Sequence, residues 1–250
     1  MGEVSKLVCR ECNEEYTPTL RHICDECFGP LDTVYDYDSI DLAPNSFTDR
    51  VKSLWRYIEL LPLNDPGKAV DLGAGFTPLQ RSIGLGERLG LKNLFIKNDS
   101  VNPSFSFKDR PATVAVSKSL EFNLNAVGCP STGNLAAATA AHAARAQLPC
   151  YIFVPSDIEP NKIVQASAYG AQVVAVKGTY DDANRMLTQA ADMYKIGVVN
   201  VNIRSYYVEG SKTLGFEVAE QLGWKAPDHV IVPTASGALL CAIKKGFDEL

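Results

Sequence analysis

The chain has 250 residues, of which 46% are hydrophobic and 21% are charged, so we expect a soluble globular protein with a sizeable core rather than a disordered one. Its 24 Lys and Arg residues stand against 29 Asp and Glu residues, a formal net charge of -5, which disfavours nonspecific nucleic-acid binding. No apolar run reaches the roughly 18 residues of a membrane span, and the amino terminus lacks the apolar segment of a signal peptide, so we expect a cytoplasmic protein without a membrane partner.

Four of the seven cysteines form two C-x-x-C pairs near the amino terminus, Cys9 with Cys12 and Cys24 with Cys27. In a reducing compartment this spacing favours a metal over a disulfide. We predict a ribbon domain over residues 1–41 in which the four thiolates bind a structural Zn²⁺. Such a site leaves no coordination position for water, so we assign it no catalytic role.

Two alternatives to a structural zinc site stay open for this segment. The thiols could be unligated, and zinc ribbons can also bind nucleic acid, although acidic side chains outnumber basic ones around these cysteines. We expect the other three cysteines, Cys129, Cys150 and Cys241, to be small buried hydrophobic residues, because they lie in apolar stretches.

Residues 42–250 are predicted to form a second domain of alternating strands and helices. An amphipathic segment over 51–61 predicts a helix that joins the ribbon to this domain. The predicted strands cover 94–96, 126–129, 151–154, 173–176, 198–201 and 230–232, and the predicted helices cover 109–122, 134–146, 160–169, 181–195, 210–222 and 238–249. This alternation indicates an α/β doubly wound fold with a parallel sheet, in which ligands bind at the carboxyl ends of the strands.

The first strand-end loop, residues 98–110, places Lys108 at the start of a predicted helix. The helix dipole disfavours a cation there, and the flanking Phe105 and Phe107 are expected to desolvate the amine. Both effects favour the neutral, nucleophilic amine that a Schiff base requires. On this loop alone, a surface lysine paired with Asp109 explains the pattern equally well.

The second loop, residues 129–135, leads into an alanine-rich helix. The backbone amides at Thr132, Gly133 and Asn134 and the hydroxyl of Ser131 could hold a carboxylate, and the Asn134 side chain could reach a phenolic oxygen. Simple helix capping by Ser131 or Asn134 is the alternative, and it is slightly favoured when this loop is considered alone.

The third loop opens the last predicted helix and consists of small and hydroxylated residues: Thr234, Ala235, Ser236, Gly237 and Ala238. Small side chains permit close approach of the backbone, and the helix dipole favours a dianion such as a cofactor phosphate. With a single glycine, this loop is weak support for a phosphate site when taken alone.

Taken in order, these segments resemble the threonine synthase family. The resemblance is carried by TPL at 77–79, SFKDR at 106–110, STGN at 131–134, EGSKT at 209–213 and TASGA at 234–238, together with the cysteine-bearing extension. It covers nearly everything from residue 72 onward. The family belongs to the fold-type II pyridoxal-phosphate enzymes, which are tryptophan synthase beta-like, so the resemblance implies that α/β fold with parallel sheets and a smaller subdomain at about 109–203.

The resemblance also implies a cofactor, pyridoxal 5'-phosphate, and a set of site residues. Lys108 would bind the cofactor covalently and remove the substrate's α-proton, Phe107 and Asn134 would contact the cofactor, and residues 234–238 would hold its phosphate. The implied reaction converts O-phosphohomoserine and water into threonine and phosphate. The glycine content of the 234–238 loop is lower than in many relatives, which leaves its individual phosphate contacts open.

For the phosphate of the substrate itself, we predict Asn202, Arg204 and Lys212, because they follow the fifth predicted strand. Arg204 offers a planar fork that matches phosphate oxygens, although a surface position in a loop is equally consistent with the sequence. Ser131, Thr132 and Gly133 are the predicted partners of the substrate's carboxylate.

Rival functions share part of this pattern. A threonine dehydratase, a cysteate synthase or another β-replacement enzyme would have the same lysine and the same loop at 131–134. A noncatalytic protein that retains the fold is a rival of a different class. Because the resemblance implies further strands beyond residue 250, we expect a carboxyl-terminally truncated chain that is poorly soluble alone, and a homodimer when the protein is full length.

Overall fold

The computed structural model describes residues 4–250, so residues 1–3 of the predicted ribbon domain lie outside the described residues. The described chain begins with a small antiparallel sheet of three strands, β1 (Val4–Cys9), β2 (Glu15–Tyr16) and β3 (Leu31–Tyr35), in the order β2-β1-β3. In β3, the alternate residues Leu31, Thr33 and Tyr35 are buried, as expected for a strand with one face against a core. This sheet carries the four amino-terminal cysteines or the turns next to them.

The connection from the ribbon to the body consists of short 3₁₀ turns, at Tyr37–Ser39, Pro44–Phe47, Leu54–Leu60 and Pro66–Lys68. The helix predicted over 51–61 is therefore a 3₁₀ segment, interrupted at Tyr57 by a non-helical backbone with φ -101° and ψ 32°. The Tyr57 ring lies between Phe47 and Phe216, and we attribute the interruption to this packing.

A hairpin-like unit follows, with β4 (Leu79–Arg81), the helix α1 (Ile83–Leu89) and β5 (Phe95–Lys97). β4 and β5 pair with each other in antiparallel fashion. The strand predicted at 94–96 is thus present, but the prediction that it joins a parallel sheet is wrong.

The main sheet has four parallel strands, β6 (Ala126–Pro130), β7 (Cys150–Pro155), β8 (Gln172–Val176) and β9 (Ile196–Val198), in the order β8-β7-β6-β9. All three neighbouring pairs run parallel. The predicted parallel α/β architecture is confirmed, with the strand expected at 198–201 beginning and ending earlier. The smaller subdomain predicted at about 109–203 contains this sheet, and the division itself stays a prediction.

Seven further helices accompany the sheet within residues 4–250: α2 (Asp109–Glu121), α3 (Asn134–Arg145), α4 (Val164–Ala168), α5 (Tyr180–Tyr194), α6 (Arg204–Tyr207), α7 (Glu209–Gln221) and α8 (Ala238–Asp248). The helix predicted at 160–169 is split into a 3₁₀ turn, Pro160–Lys162, and α4. Helix α5 packs on one face of the sheet, while α3 and α4 belong to the core on the other face.

The strand predicted at 230–232 is not formed, and this prediction is wrong. Ile231 is 94% exposed, and in the part of the chain that the structure describes no strand lies beside this segment. An apolar run becomes a strand only where a neighbouring strand accepts and donates its backbone hydrogen bonds. In this structure the segment is an extended loop that leads to α8.

The ribbon and the body share one hydrophobic core. Leu7 and Leu31 of the ribbon sheet belong to the same buried cluster as Ile203 and Tyr206 around α6 and Ile152 of the main sheet. Cys129 and Cys150 are buried as predicted, whereas Cys241 is exposed, because it lies on an outward-facing side of α8. Among the helices of the described chain, none is both long enough and apolar enough to cross a membrane.

Candidate active site

Lys108 immediately precedes α2 as its N-cap residue. Its Nζ donates a hydrogen bond of 3.1 Å to the hydroxyl of Tyr207 and lies 4.7 Å from the ring centroid of Phe107. Burial lowers the pKa of the Lys108 amine from its ordinary value, which favours the neutral form. The expectation that Phe105 also shields the amine is wrong, because its side chain is turned outward and is 75% exposed.

Asp109 anchors the backbone on one side of Lys108. Its carboxylate accepts hydrogen bonds of 2.8 Å from both the backbone amide and the hydroxyl of Ser104, and it lies 3.1 Å from Nε2 of His142 on α3. Asp109 and His142 are both fully buried. The carboxylate is therefore committed to this cluster and is not the partner of the Lys108 amine.

Arg110 anchors the backbone on the other side. Its guanidinium is fully buried and forms ion pairs with Glu217 of α7 and with Asp99, at N–O distances of 2.5 and 2.7 Å. Burial alone would lower the pKa of Arg110, but these two carboxylates raise it above its ordinary value. Lys108 thus stands between two residues whose side chains are locked in place.

Lys108 lines a cavity of about 520 Å³, a volume within the usual range for small-molecule sites. The structure brings together on this cavity the predicted residues Phe107 and Lys108 and all five residues of the third loop, Thr234, Ala235, Ser236, Gly237 and Ala238. Tyr207, Asp99 and Ser211 also line it. The segment from 230 to 240 forms much of the wall, so the failed strand supplies the lining of the site.

The third loop ends at the amino terminus of α8. Gly237 is its N-cap residue, with a left-handed backbone at φ 79°, and no side chain within the described residues caps the helix. The Thr234 hydroxyl donates to the carbonyl of Val232 at 2.9 Å and is not used as a cap. The first amides of α8 are therefore free to bind an anion that enters the cavity.

The second loop lies next to the cavity but is not part of its lining. It follows Cys129, a buried thiol that is close enough to Lys108 to influence the amine electrostatically. Gly133 is the N-cap residue of α3, and no side-chain cap is present there either, as far as residues 4–250 are concerned. Gly133 and Asn134 are exposed, and the Ser131 hydroxyl accepts a hydrogen bond from the Gly133 amide at 3.3 Å.

The three residues predicted for the substrate's phosphate are not assembled around Lys108. The Asn202 side chain bridges the backbone of β9, accepting from Val198 N at 2.8 Å and donating to Ile196 O at 3.1 Å. Its amide therefore stabilises a strand end.

Lys212 is fully buried, with its Nζ 2.6 Å from Glu209 and 2.7 Å from Glu249. Arg204 is exposed on α6 and, with Lys212, lines a second cavity of about 370 Å³ between the ribbon and α8. The prediction for these residues is corrected accordingly, because α6 and α7 direct them toward the ribbon side.

Sequence reasoning missed Tyr207, which supplies the hydroxyl next to Lys108. Burial raises the pKa of Tyr207 well above its ordinary value, so the phenol stays neutral. The only available signal was the pair of consecutive tyrosines, 206 and 207, just ahead of the EGSKT motif. Chain separation from Lys108 conceals their proximity.

The four amino-terminal cysteines converge, with all their Sγ atoms within 4.8 Å of one another. The two C-x-x-C turns have the same backbone design: Asn13 follows Cys12 with φ 62°, and Phe28 follows Cys27 with φ 59°. In each turn the amide of that residue donates to the carbonyl of the first cysteine, at 3.0 and 3.1 Å. Tetrahedral Zn–S bonds of about 2.3 Å require sulfurs about 3.8 Å apart, which this arrangement matches.

A parallel α/β sheet, a desolvated lysine at a helix start and a second helix aiming free amides into the same cavity define an enzyme that binds a small anionic molecule beside a reactive amine. Comparison with protein families agrees with this class: the family model described as "Pyridoxal-phosphate dependent enzyme" matches residues 70–250. The chain belongs to this family.

Individual relatives are consistent with the family assignment. The chain is 39% identical over 245 residues to a threonine synthase of Methanosarcina acetivorans and 41% identical over 245 residues to one of Methanocaldococcus jannaschii. These matches cover 97% and 96% of this chain and 60% of each relative, so the chain spans about 60% of the length of these curated relatives.

Among solved structures, threonine deaminase isoform 2 of Solanum lycopersicum shares the fold, with a TM-score of 0.64 at 22% identity, covering 94% of this chain and 62% of that chain. A bacterial-style comparison of the same kind is the T.th. threonine deaminase, which has a TM-score of 0.58 at 27% identity over 68% of this chain and 54% of that chain.

Proposed function

We propose that this chain carries the active-site lysine of a threonine synthase, which converts O-phosphohomoserine and water into L-threonine and phosphate with pyridoxal 5'-phosphate as cofactor. The observation that carries the proposal is the desolvated Lys108 amine on a cavity closed by the uncapped amino terminus of α8. The choice of substrate rests on the 39% and 41% identity to the two archaeal threonine synthases over nearly the whole chain.

The donor set fits the cofactor. Lys108 would bind its aldehyde, Phe107 and Asn134 would contact its ring, and the amides of residues 234–238 would hold its phosphate. A nucleophilic amine and a set of free helix amides on one cavity match the two reactive ends of this molecule. When bound, the cofactor supplies the electron sink that stabilises negative charge at the substrate's α-carbon.

The protein's own side chains would perform binding and proton transfer. Lys108 takes the α-proton, a role that requires a neutral amine and is consistent with the lowered pKa of this group. The hydroxyl of Ser131 and the amides of Thr132 and Gly133 hold the substrate's carboxylate at the start of α3. The neutral Tyr207 hydroxyl accepts a hydrogen bond from the Lys108 amine when that amine is free.

The ribbon is proposed to bind one structural Zn²⁺ through Cys9, Cys12, Cys24 and Cys27. The convergence of four thiols and the repeated backbone geometry of the two turns support this assignment. The cytoplasmic location, the absence of a nucleic-acid partner and the homodimer stay predictions; the acidic balance of charge agrees with the second of these.

A threonine dehydratase is the second candidate, favoured by the 27% identity to the T.th. threonine deaminase. It would use the same lysine on a different substrate. Phosphate release from O-phosphohomoserine, compared with 2-oxoacid formation from threonine and turnover of phosphoserine, separates the candidates.

The test of the proposed function is the Lys108→Ala variant beside Lys177→Ala, which removes an exposed lysine from the loop before α5. Borohydride reduction of the holoprotein is expected to attach the cofactor to the peptide that contains Lys108, in wild type and in the Lys177 variant alone. Phosphate release should fall by about 100- to 10,000-fold in Lys108→Ala, the range for loss of a catalytic acid–base group. Retention of covalent cofactor in Lys108→Ala would refute the proposal.

A further inference from the structure

The short helix α6, Arg204–Tyr207, lies between the ribbon and Lys108. On the ribbon side, the Thr33 hydroxyl donates to the carbonyl of Ser205 at 2.8 Å, and the Tyr206 hydroxyl donates to the carbonyl of Thr19 at 2.9 Å. Thr33 and Tyr206 are buried, at 1% and 0% exposure. The ribbon therefore holds α6 by two hydrogen bonds that water does not reach freely.

The next residue, Tyr207, projects to the opposite side. Successive residues of a helix point about 100° apart, so neighbours can contact different parts of the protein. The Tyr207 hydroxyl is 3.1 Å from Nζ of Lys108, and its ring centroid is 5.8 Å from the same nitrogen. One turn of helix thus joins a ribbon contact to a contact with the amine.

A helix of four residues has no stability of its own, because nucleation costs more than one turn of hydrogen bonds returns. Its position depends on what it packs against. On the body side, the Tyr206 ring lies 5.5 Å from the Phe122 ring and 4.7 Å from Nζ of Lys118. The ribbon closes the other side, so Tyr206 is clamped between α2 and the ribbon.

We propose that the ribbon, acting through α6, holds Tyr207 against the Lys108 amine, which makes Tyr207 a positioning residue for this lysine. The inference rests on the proposed role of Lys108 and adds to it a task for the ribbon, which would otherwise be a stabilising appendage. Tyr207 directs the amine, while the ribbon directs Tyr207.

The test compares two ligands of the apoprotein. Pyridoxal phosphate condenses with the Lys108 amine and releases water, whereas pyridoxamine phosphate has no aldehyde and only fills the cavity. Tyr207→Phe is expected to slow covalent attachment of pyridoxal phosphate about fivefold, the equivalent of one hydrogen bond. The Kd of pyridoxamine phosphate should stay unchanged, which also shows that the variant is folded.

Two ribbon-side variants, Thr33→Val and Tyr206→Phe, each remove one hydrogen bond to or from α6 with little change in shape. We expect both to slow attachment by a smaller factor than Tyr207→Phe, and to have no further effect when Tyr207 is already phenylalanine. Tyr194→Phe, which alters a tyrosine that is 62% exposed on α5, serves as the control and should behave as wild type.

The outcomes are distinct. If Lys108→Ala still attaches pyridoxal phosphate covalently, the proposed function itself fails. If Lys108→Ala abolishes attachment but Tyr207→Phe leaves the rate unchanged, or weakens both ligands equally, Tyr207 does not position the lysine. Undiminished effects of the ribbon-side variants in the Tyr207→Phe background would overturn the route through α6.

Discussion

The surroundings of Lys108 decide its protonation state. Burial lowers the pKa of the amine, and the group that opposes this is Cys129. Burial raises the pKa of the Cys129 thiol well above its ordinary value, so the thiol is uncharged at neutral pH and cannot stabilise the ammonium form as a thiolate would. Desolvation therefore prevails at this residue.

This balance predicts a shifted pH profile for cofactor attachment. A lysine with a lowered pKa becomes neutral at a lower pH, so the midpoint for covalent attachment of pyridoxal phosphate should lie below the roughly 10.4 of an ordinary lysine. Attachment is lost as the pH falls through the folded-state pKa and is complete above it. Absorbance titration of the apoprotein measures the midpoint, with N-acetyl-lysine amide as reference. A midpoint equal to the reference would contradict the role of burial.

At the scale of elements, glycines let α7 approach its neighbours closely. A Cβ added at Gly210 would meet the carbonyl oxygen of Arg110 at 2.2 Å, and one at Gly246 of α8 would meet the carbonyl of Lys212 at 2.2 Å. Backbone atoms cannot yield as a side chain can. The EGSKT motif thus contributes close packing at Gly210 and, through Lys212 and Thr213, buried polar contacts.

We therefore expect Gly210→Ala to destabilise the protein by about 1–3 kcal/mol, the usual cost of overpacking, and to weaken cofactor attachment because the start of α2 must shift. Gly84→Ala is the matched control, since nothing lies within 4 Å of its added Cβ. It lies in α1, where alanine is the better helix former, so its stability should be unchanged or rise by up to about 1 kcal/mol. Urea unfolding compares the two, and equal effects would argue against the close contact at Gly210.

At the scale of the whole molecule, the ribbon and the body form one folding unit because they share a buried cluster. Beyond that cluster, Lys245 of α8 joins Glu209 and the carbonyl of Thr33 at 2.7 and 2.9 Å, which ties the ribbon sheet to α7 and α8. Loss of ribbon structure should therefore reach the body.

The metal site gives a whole-molecule prediction. Cys12→Ala is expected to lower the zinc content from about one ion per chain toward zero and to lower the Tm, because the binding energy of a structural zinc is folding energy. Cys241→Ala removes an exposed cysteine outside the ribbon and should change neither. Elemental analysis and calorimetry provide the two readouts. A metal-free wild type with the same Tm as the loaded protein would exclude a structural zinc.

Local patterns predicted much of the fold. The helices at 109–122, 134–146, 181–195, 210–222 and 238–249 all begin and end within a residue or so of the observed ones. Their apolar periodicity, together with the turn residues between elements, is set by short stretches of chain. The same reasoning placed an apolar strand at 230–232, which fails because a strand depends on a partner that is often distant in sequence.

The sequence by itself determined the α/β class, the four-cysteine cluster and the candidacy of Lys108 and the 234–238 loop, since each depends on residue types at short spacing. Only the tertiary structure decided that Lys108 faces Tyr207, that Lys212 is consumed by Glu209 and Glu249, and that Asn202 supports a strand. The physical reason is that side-chain partners are selected by the packing of elements far apart in the chain, and hydrogen bonds and ion pairs form only at short range.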